Sequence, residues 1–211
     1  MFKGISRFLV PVLAISLWAG TFSKAVAATP PVAAPFTNIS SSQIQANWTD
    51  GDGGTLFGTT YYAILSTGPS PSTNNFEGNK SSATGTSLSA LFTGLQPNTT
   101  YFIDVNATDT TGSSTTFTSL GSTVTWAVSP ALGAFTNVGA TQLTANWGAN
   151  NNPAGTTYVV QISTETTFDL LTSSVSTLST SWIFGGCPRA PLSMLMCRPS
   201  VLGELQRPGP T

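Results

Sequence analysis

The residues best equipped for chemistry in this chain fall in four short stretches. Asp50-Gly51-Asp52-Gly53-Gly54 spaces two carboxylates as a calcium loop does, and Phe57 with Tyr61-Tyr62 offers rings for stacking on a sugar. Cys187 and Cys197 are the two cysteines. Asn98-Thr99-Thr100 and Asn106-Ala107-Thr108 are glycosylation acceptors by pattern. None survives scrutiny as a site. An EF-hand loop needs further oxygen ligands and a Glu at its twelfth position, where this chain has Tyr61, and the matching later stretch, Ala149-Asn150-Asn151-Asn152, has no carboxylate. The Asp-Gly run is therefore expected to be a turn. Adjacent aromatics on a strand point to opposite faces, so one of Tyr61 and Tyr62 is expected in the core. The Asn-x-Thr triplets arise readily from an Asn/Thr-rich composition.

The wider inventory points the same way. There is no histidine in 211 residues, so the commonest general base and metal ligand is missing. Charged residues are 7% and the net charge is −1, which leaves no basic footprint for nucleic acid. We expect no catalytic, cofactor-binding or metal-ligating residues, no cofactor and no enzymatic activity. Hydrophobic residues at 40% nevertheless supply a core.

Lys3 and Arg7 precede the apolar run Phe8–Ala19, which is followed by Ala25-Val26-Ala27-Ala28. That order reads as a secretory signal cut after Ala27 or Ala28. The run is shorter than the roughly 20 residues that span a bilayer, and Pro11 interrupts it. Residues 1–28 are expected to be removed, leaving no membrane span and an extracellular or cell-surface product.

Two stretches nearly coincide, Phe36–Trp48 (FTNISSSQIQANW) and Phe135–Trp147 (FTNVGATQLTANW), an offset of 99 residues (135 − 36). Gly58–Thr67 (GTTYYAILST) and Gly155–Thr164 (GTTYVVQIST) repeat at 97 (155 − 58). The shortening lies in the intervening loop, as expected for two copies of one domain that differ in their connections. Within the copies apolar residues alternate. Ile44, Ala46 and Trp48 share one face against Gln45 and Asn47. Tyr101, Ile103, Val105 and Ala107 form an inward set, with Asp104 and Asn106 expected to face water. Turn signals at Gly68-Pro69, Gln96-Pro97-Asn98 and Thr111-Gly112 separate the strands, and helical spacing with caps is missing after residue 28. An antiparallel sandwich follows.

The Trp closing the second strand, the Tyr-rich third strand and Leu95-Gln96-Pro97-Asn98-Thr99-Thr100-Tyr101 together resemble a fibronectin type III domain. The resemblance covers about residues 33–126 and restarts near Ala131. It implies an all-β protein of tandem immunoglobulin-like sandwiches, one complete and one incomplete, with the Tyr101 hydroxyl bonded back to the chain at a tyrosine corner. It divides the chain into a signal (1–28), a first module (29–126), a partial second module (127–186) and an aberrant tail (187–211). The function it implies is a secreted or surface array acting as spacer or adhesion module toward an extracellular protein or polysaccharide. The alternatives are an accessory or carbohydrate-binding fragment of a secreted polysaccharide-degrading enzyme, or a truncated product without function. The turn Asp109–Ser114 carries no Arg-Gly-Asp, so integrin-type adhesion does not carry over.

The tail breaks the pattern. Aligning Gly186 with Gly94 demands a Leu-x-Pro-x-Thr-x-Tyr segment next, but the chain reads Cys187-Pro188-Arg189-Ala190. Codons made from the last base of one codon and the first two of the next permit Leu-Ser-Pro-x-Thr-x-Phe-Tyr-Val-Asp-Val-Gln-Ala over 187–199. Valine is forced at Cys197, and only Val or Ala is allowed at Leu195. This displaced frame lines up with Leu95–Ala107 without a gap. In the frame as given, 187–211 is expected to be disordered, to contain no strand and to leave the third strand of the second module with an open edge. A disulfide between Cys187 and Cys197 is the rival account of the tail.

Overall fold

The structure is a computed structural model that describes residues 27–51, 58–72, 81–163, 171–186 and 195–200. The signal segment therefore lies outside the described residues, apart from Ala27 and Ala28. The first copy forms seven strands: β1 (Val32–Thr37), β2 (Gln43–Thr49), β3 (Thr60–Ser66), β4 (Ser81–Gly85), β5 (Ser89–Thr93), β6 (Thr100–Thr108) and β7 (Thr118–Val124). They make a three-stranded sheet, β1-β2-β5, and a four-stranded sheet, β4-β3-β6-β7, with every pairing antiparallel. The strand order is that of a Greek-key sandwich, in which β5 leaves the sheet of β3 and β4 to pair with β2.

The alternation read from the sequence is what closes the two sheets. Ile44, Ala46 and Trp48 of β2 meet Tyr61, Ala63 and Leu65 of β3 and Tyr101, Ile103, Val105 and Ala107 of β6, all buried in one cluster. Trp48 tilts against Tyr61 across the sheets, with ring centroids 5.7 Å apart. The tyrosine corner forms as expected: the Gln96 N–H donates to the Tyr101 hydroxyl at 2.9 Å, which lets a ring that is 1% exposed keep its polar tip paired.

Polar residues of the repeated motif turn out to be equally structural. β1 loses register between Ala34 and Thr37. The Asn47 side chain spans that irregularity, donating to the Pro35 carbonyl at 2.7 Å and the Thr37 hydroxyl at 3.0 Å. Its counterpart Asn146 does the same with the Ala134 carbonyl and the Thr136 hydroxyl, at 2.7 and 3.1 Å. Asn38 and Asn137 both sit at positive φ, 48° and 49°, a conformation Asn tolerates better than most residues. The motif repeats because it encodes a strand, its irregular partner and the turn between them.

The second copy comprises β8 (Ala131–Leu132), β9 (Gln142–Gly148), β10 (Thr157–Ser163), β11 (Leu171–Thr177), β12 (Ser181–Gly185) and β13 (Leu195–Ser200). The sheets are β12-β9-β8 and β11-β10-β13. Leu143, Ala145, Trp147, Tyr158, Val160, Ile162 and Phe184 form its core. Trp147 and Tyr158 reproduce the aromatic pair at 5.8 Å.

β13 overturns the expectation that 187–211 contains no strand and leaves β10 with an open edge. It runs antiparallel along β10, with Tyr158 opposite Pro199 and Ile162 opposite Leu195. In the first copy Tyr61 faces Ala107 and Leu65 faces Ile103, so β13 occupies the slot and register of β6. The physical reason is that a ladder is made by backbone groups and accepts any extended segment that can reach it. Pro199 is compatible with this pairing. Ala107, at the register position of Pro199, gives its N–H to Thr115 Oγ1 on the side away from β3, so a proline there takes no donor from β10. The rest of the tail lies outside the described residues.

Replacing Trp48 with alanine is expected to destabilise the first module by about 3–5 kcal/mol, the usual cost of emptying an aromatic core site. Denaturant titration of the module's unfolding transition measures it. A loss below about 1 kcal/mol would show that the Trp48–Tyr61 pair does not hold the sheets together.

Candidate functional site

The stretches singled out above fall at two places. Asp50 and Gly51 follow β2 and enter the turn toward β3, beside the segment that precedes β1. A Cβ added at Gly51 would stand 2.4 Å from the Pro30 carbonyl oxygen, so only glycine lets the two backbones approach this closely. Gly58, at φ +91°, closes the far side of the same loop, where a Cβ would meet Thr110. Residues 52–57, with Asp52 and Phe57, lie outside the described residues. Among the described residues no group of three or more His, Cys, Asp or Glu gathers as a metal would need.

Asp109 completes this end of the sandwich. Its Oδ1 accepts from the Thr111 hydroxyl at 2.6 Å, the Thr111 N–H at 2.8 Å and the Ser113 N–H at 3.0 Å. The Thr111 hydroxyl, the Ser113 and Thr111 N–H groups and the Ala28 N–H hold its carboxyl below the ordinary value, while desolvation acts the other way. Its Oδ1 shapes the β6–β7 turn through these three bonds. It is a structural cap rather than a ligand group.

The outer face of the β4-β3-β6-β7 sheet is the second place, and here the structure corrects the sequence reading. Asp104 and Asn106 alternate away from the core as expected, but they do not face water: they are 3% and 9% exposed. Ser72, in the segment after β3, folds over this face and donates to Asp104 Oδ2 through its N–H at 3.1 Å and its hydroxyl at 2.6 Å. Alternation sorts residues between faces of a sheet but says nothing of which loop covers the outer one. Asp104 Oδ1 and Asn106 Oδ1 are buried without a partner among the described residues. On the same face Tyr62, 38% exposed, packs edge-on to Phe117 at 6.2 Å, whereas Tyr61 is in the core at 6%. The aromatic dyad therefore divides as expected, and the ring left outside is engaged with Phe117 rather than presented as a flat platform. The glycosylation acceptors are also occupied by the fold. Asn106 is buried, and the Asn98 amide donates to Thr156 Oγ1 at 2.9 Å.

The fold is that of tandem fibronectin type III domains. The chain is similar in structure to a two-domain fibronectin type III segment from chicken tenascin, at 16% identity with a TM-score of 0.52, covering 76% of this chain and 85% of that one. No family model matches the sequence, and no curated protein matches it either. The likeness is one of architecture. No helix among the described residues is long and apolar enough to cross a membrane.

Asp109 is expected to titrate below the ordinary carboxylate value, and Thr111→Val to raise it. The sign follows from the direction. A carboxyl whose folded pKa is depressed contributes stability above its unfolded pKa, and that contribution is lost as pH falls through the folded value. Side-chain carboxyl chemical shifts followed by NMR against pH test this. An Asp109 that titrates at the ordinary value in the parent protein would remove the cap.

Proposed function

We propose that the chain is an exported, non-catalytic spacer built of fibronectin type III-like modules in series. The observation that carries this reading is the duplication itself. Two copies keep their core, turn and bulge residues, including Trp48/Trp147, Tyr61/Tyr158, Asn38/Asn137 and Asn47/Asn146, while the turns between strands diverge. Such a pattern repeats a length of folded chain, and the recurring side chains named above serve the core, a turn or the strand irregularity. The charged start and short apolar run supply the route outward, and the division at about residues 28, 126 and 186 follows from the repeat.

Expression with its own leader in a secreting host, followed by N-terminal sequencing, is expected to yield exported protein beginning at Ala28 or Thr29. The same material is expected to stay in solution when mixed with insoluble cellulose, chitin or xylan. Exported protein that still begins at Met1 would refute the signal reading. Saturable retention on a polysaccharide would replace the spacer with a carbohydrate-binding role.

A further inference from the structure

The segment joining the two sandwiches, Thr125–Pro130, lies outside the strands of both, yet four of its six residues, Thr125, Trp126, Val128 and Ser129, are hydrogen-bonded. On the side of the first module, the Thr125 N–H donates to the Thr99 carbonyl at 3.1 Å and the Thr125 hydroxyl to the Gln96 carbonyl at 2.6 Å. The Trp126 N–H donates to the Ser40 carbonyl at 3.0 Å, and the Trp126 carbonyl accepts from Asn98 at 3.2 Å. On the side of the second module, Asn152 grips the backbone of Val128 from both directions. Its Oδ1 accepts the Val128 N–H at 2.8 Å, and its Nδ2 donates to the Val128 carbonyl at 2.7 Å. Asn150 adds a bond from Nδ2 to the Ser129 carbonyl at 2.7 Å. The two modules also touch directly through Asn98 and Thr156, whose hydroxyl is oriented by its own bond to the Pro153 carbonyl at 2.7 Å.

We infer that this joint is locked, so that the two modules form one stiff rod rather than beads on a flexible string. Relative motion is the default for modules joined by a short linker with a small interface. It requires freedom in the linker dihedrals, which these bonds remove. The grip is particular to this junction. In the repeat alignment Asn150 and Asn152 stand where the first copy has Gly51 and Gly53, and Ser129 stands where it has Pro30. The amide side chains are thus found at the turn that meets a preceding module and are replaced by glycine at the matching turn of the first copy, where Gly51 lies against Thr29 and Pro30. The kind of partner this surface fits is the opposite end of a like module, offering an Asn at the corner before β6 and an extended exit strand.

The test uses the full chain, with Cys187 and Cys197 replaced by serine and spin labels on cysteines placed at the exposed Leu91 and Leu178. Pulsed electron resonance is expected to give one narrow distance distribution. Asn152→Ala with Thr156→Val is expected to widen it roughly twofold, toward the spread of an unrestrained linker, with tryptophan emission confirming that both cores remain folded. A broad distribution in the parent, or an unchanged width in the folded double variant, would overturn the inference. A double variant that loses its tryptophan signature is replaced by Asn150→Ser with Asn98→Ser, under the same two criteria.

A separate observation bears on the tail. β13 lies in the register of β6 with no gap from Gly186, whose φ of 70° equals that of Gly94. That is the register the displaced frame requires. Followed to Thr211, the same frame permits glycine at residue 204, matching Gly112, and tryptophan at 209, matching Phe117. We infer that the codons after Gly186 encode the rest of the second module in the displaced frame. Reading that frame in the coding DNA decides it. Phe at 193, Tyr at 194 and no stop through 211 are expected, and a stop codon or non-aromatic residues at both positions would refute it.

Discussion

One indole ring per module decides whether the two sheets become a sandwich. Trp48 stands on β2 and Tyr61 on β3, in different sheets, and their tilted contact fills the gap between the layers where the smaller Ala46 and Ala63 cannot. Trp147 and Tyr158 repeat it within 0.1 Å of centroid separation, 5.8 against 5.7 Å. Both indole N–H groups are buried without a partner among the described residues, a cost of about 1–3 kcal/mol each. The burial of so large an apolar surface offsets that cost, since an aromatic side chain removes about 150–250 Å² from water. Everything else in the module is arranged around the gap this pair holds open, including the tyrosine corner that fixes β6 and the asparagine that fixes β1.

The polar composition fits the same logic. In a chain with few charges, the shape of the connections rests on Asn, Thr and Ser side chains bonded to nearby backbone. Gln43, Asn47, Asp109 and Thr125 each satisfy main-chain groups that strand pairing leaves open. This makes a module whose surface residues are committed to its own architecture.

Two copies of one module need not behave alike at their ends. The turn after β9 carries amides where the turn after β2 carries glycines, and the difference falls where the second module meets the first. Phe135 and Val138, counterparts of Phe36 and Ile39, are exposed, whereas Phe36 and Ile39 pack on the first core. In the first module β7 lies close to β1 and contributes Leu120 to that core. No matching strand lies within the described residues of the second.

The sequence by itself determined the sandwich class, the duplication and the inward residues of β2 and β6, and its resemblance to a known family implied the tyrosine corner. Period-two alternation and turn chemistry are local, and a residue four or five positions away is enough to state them. It misjudged Asp104 and Asn106, because which segment covers the outer face depends on the path of residues 68–72 across the sheet. It misjudged residues 195–200, because an open ladder recruits backbone and disregards the side-chain pattern by which strands are recognised. It was silent on Asn150 and Asn152, whose role exists only once a linker from another part of the chain passes within hydrogen-bonding distance. Tertiary structure decided these three matters for one reason: each depends on a partner distant in sequence, and spacing along the chain carries no record of it.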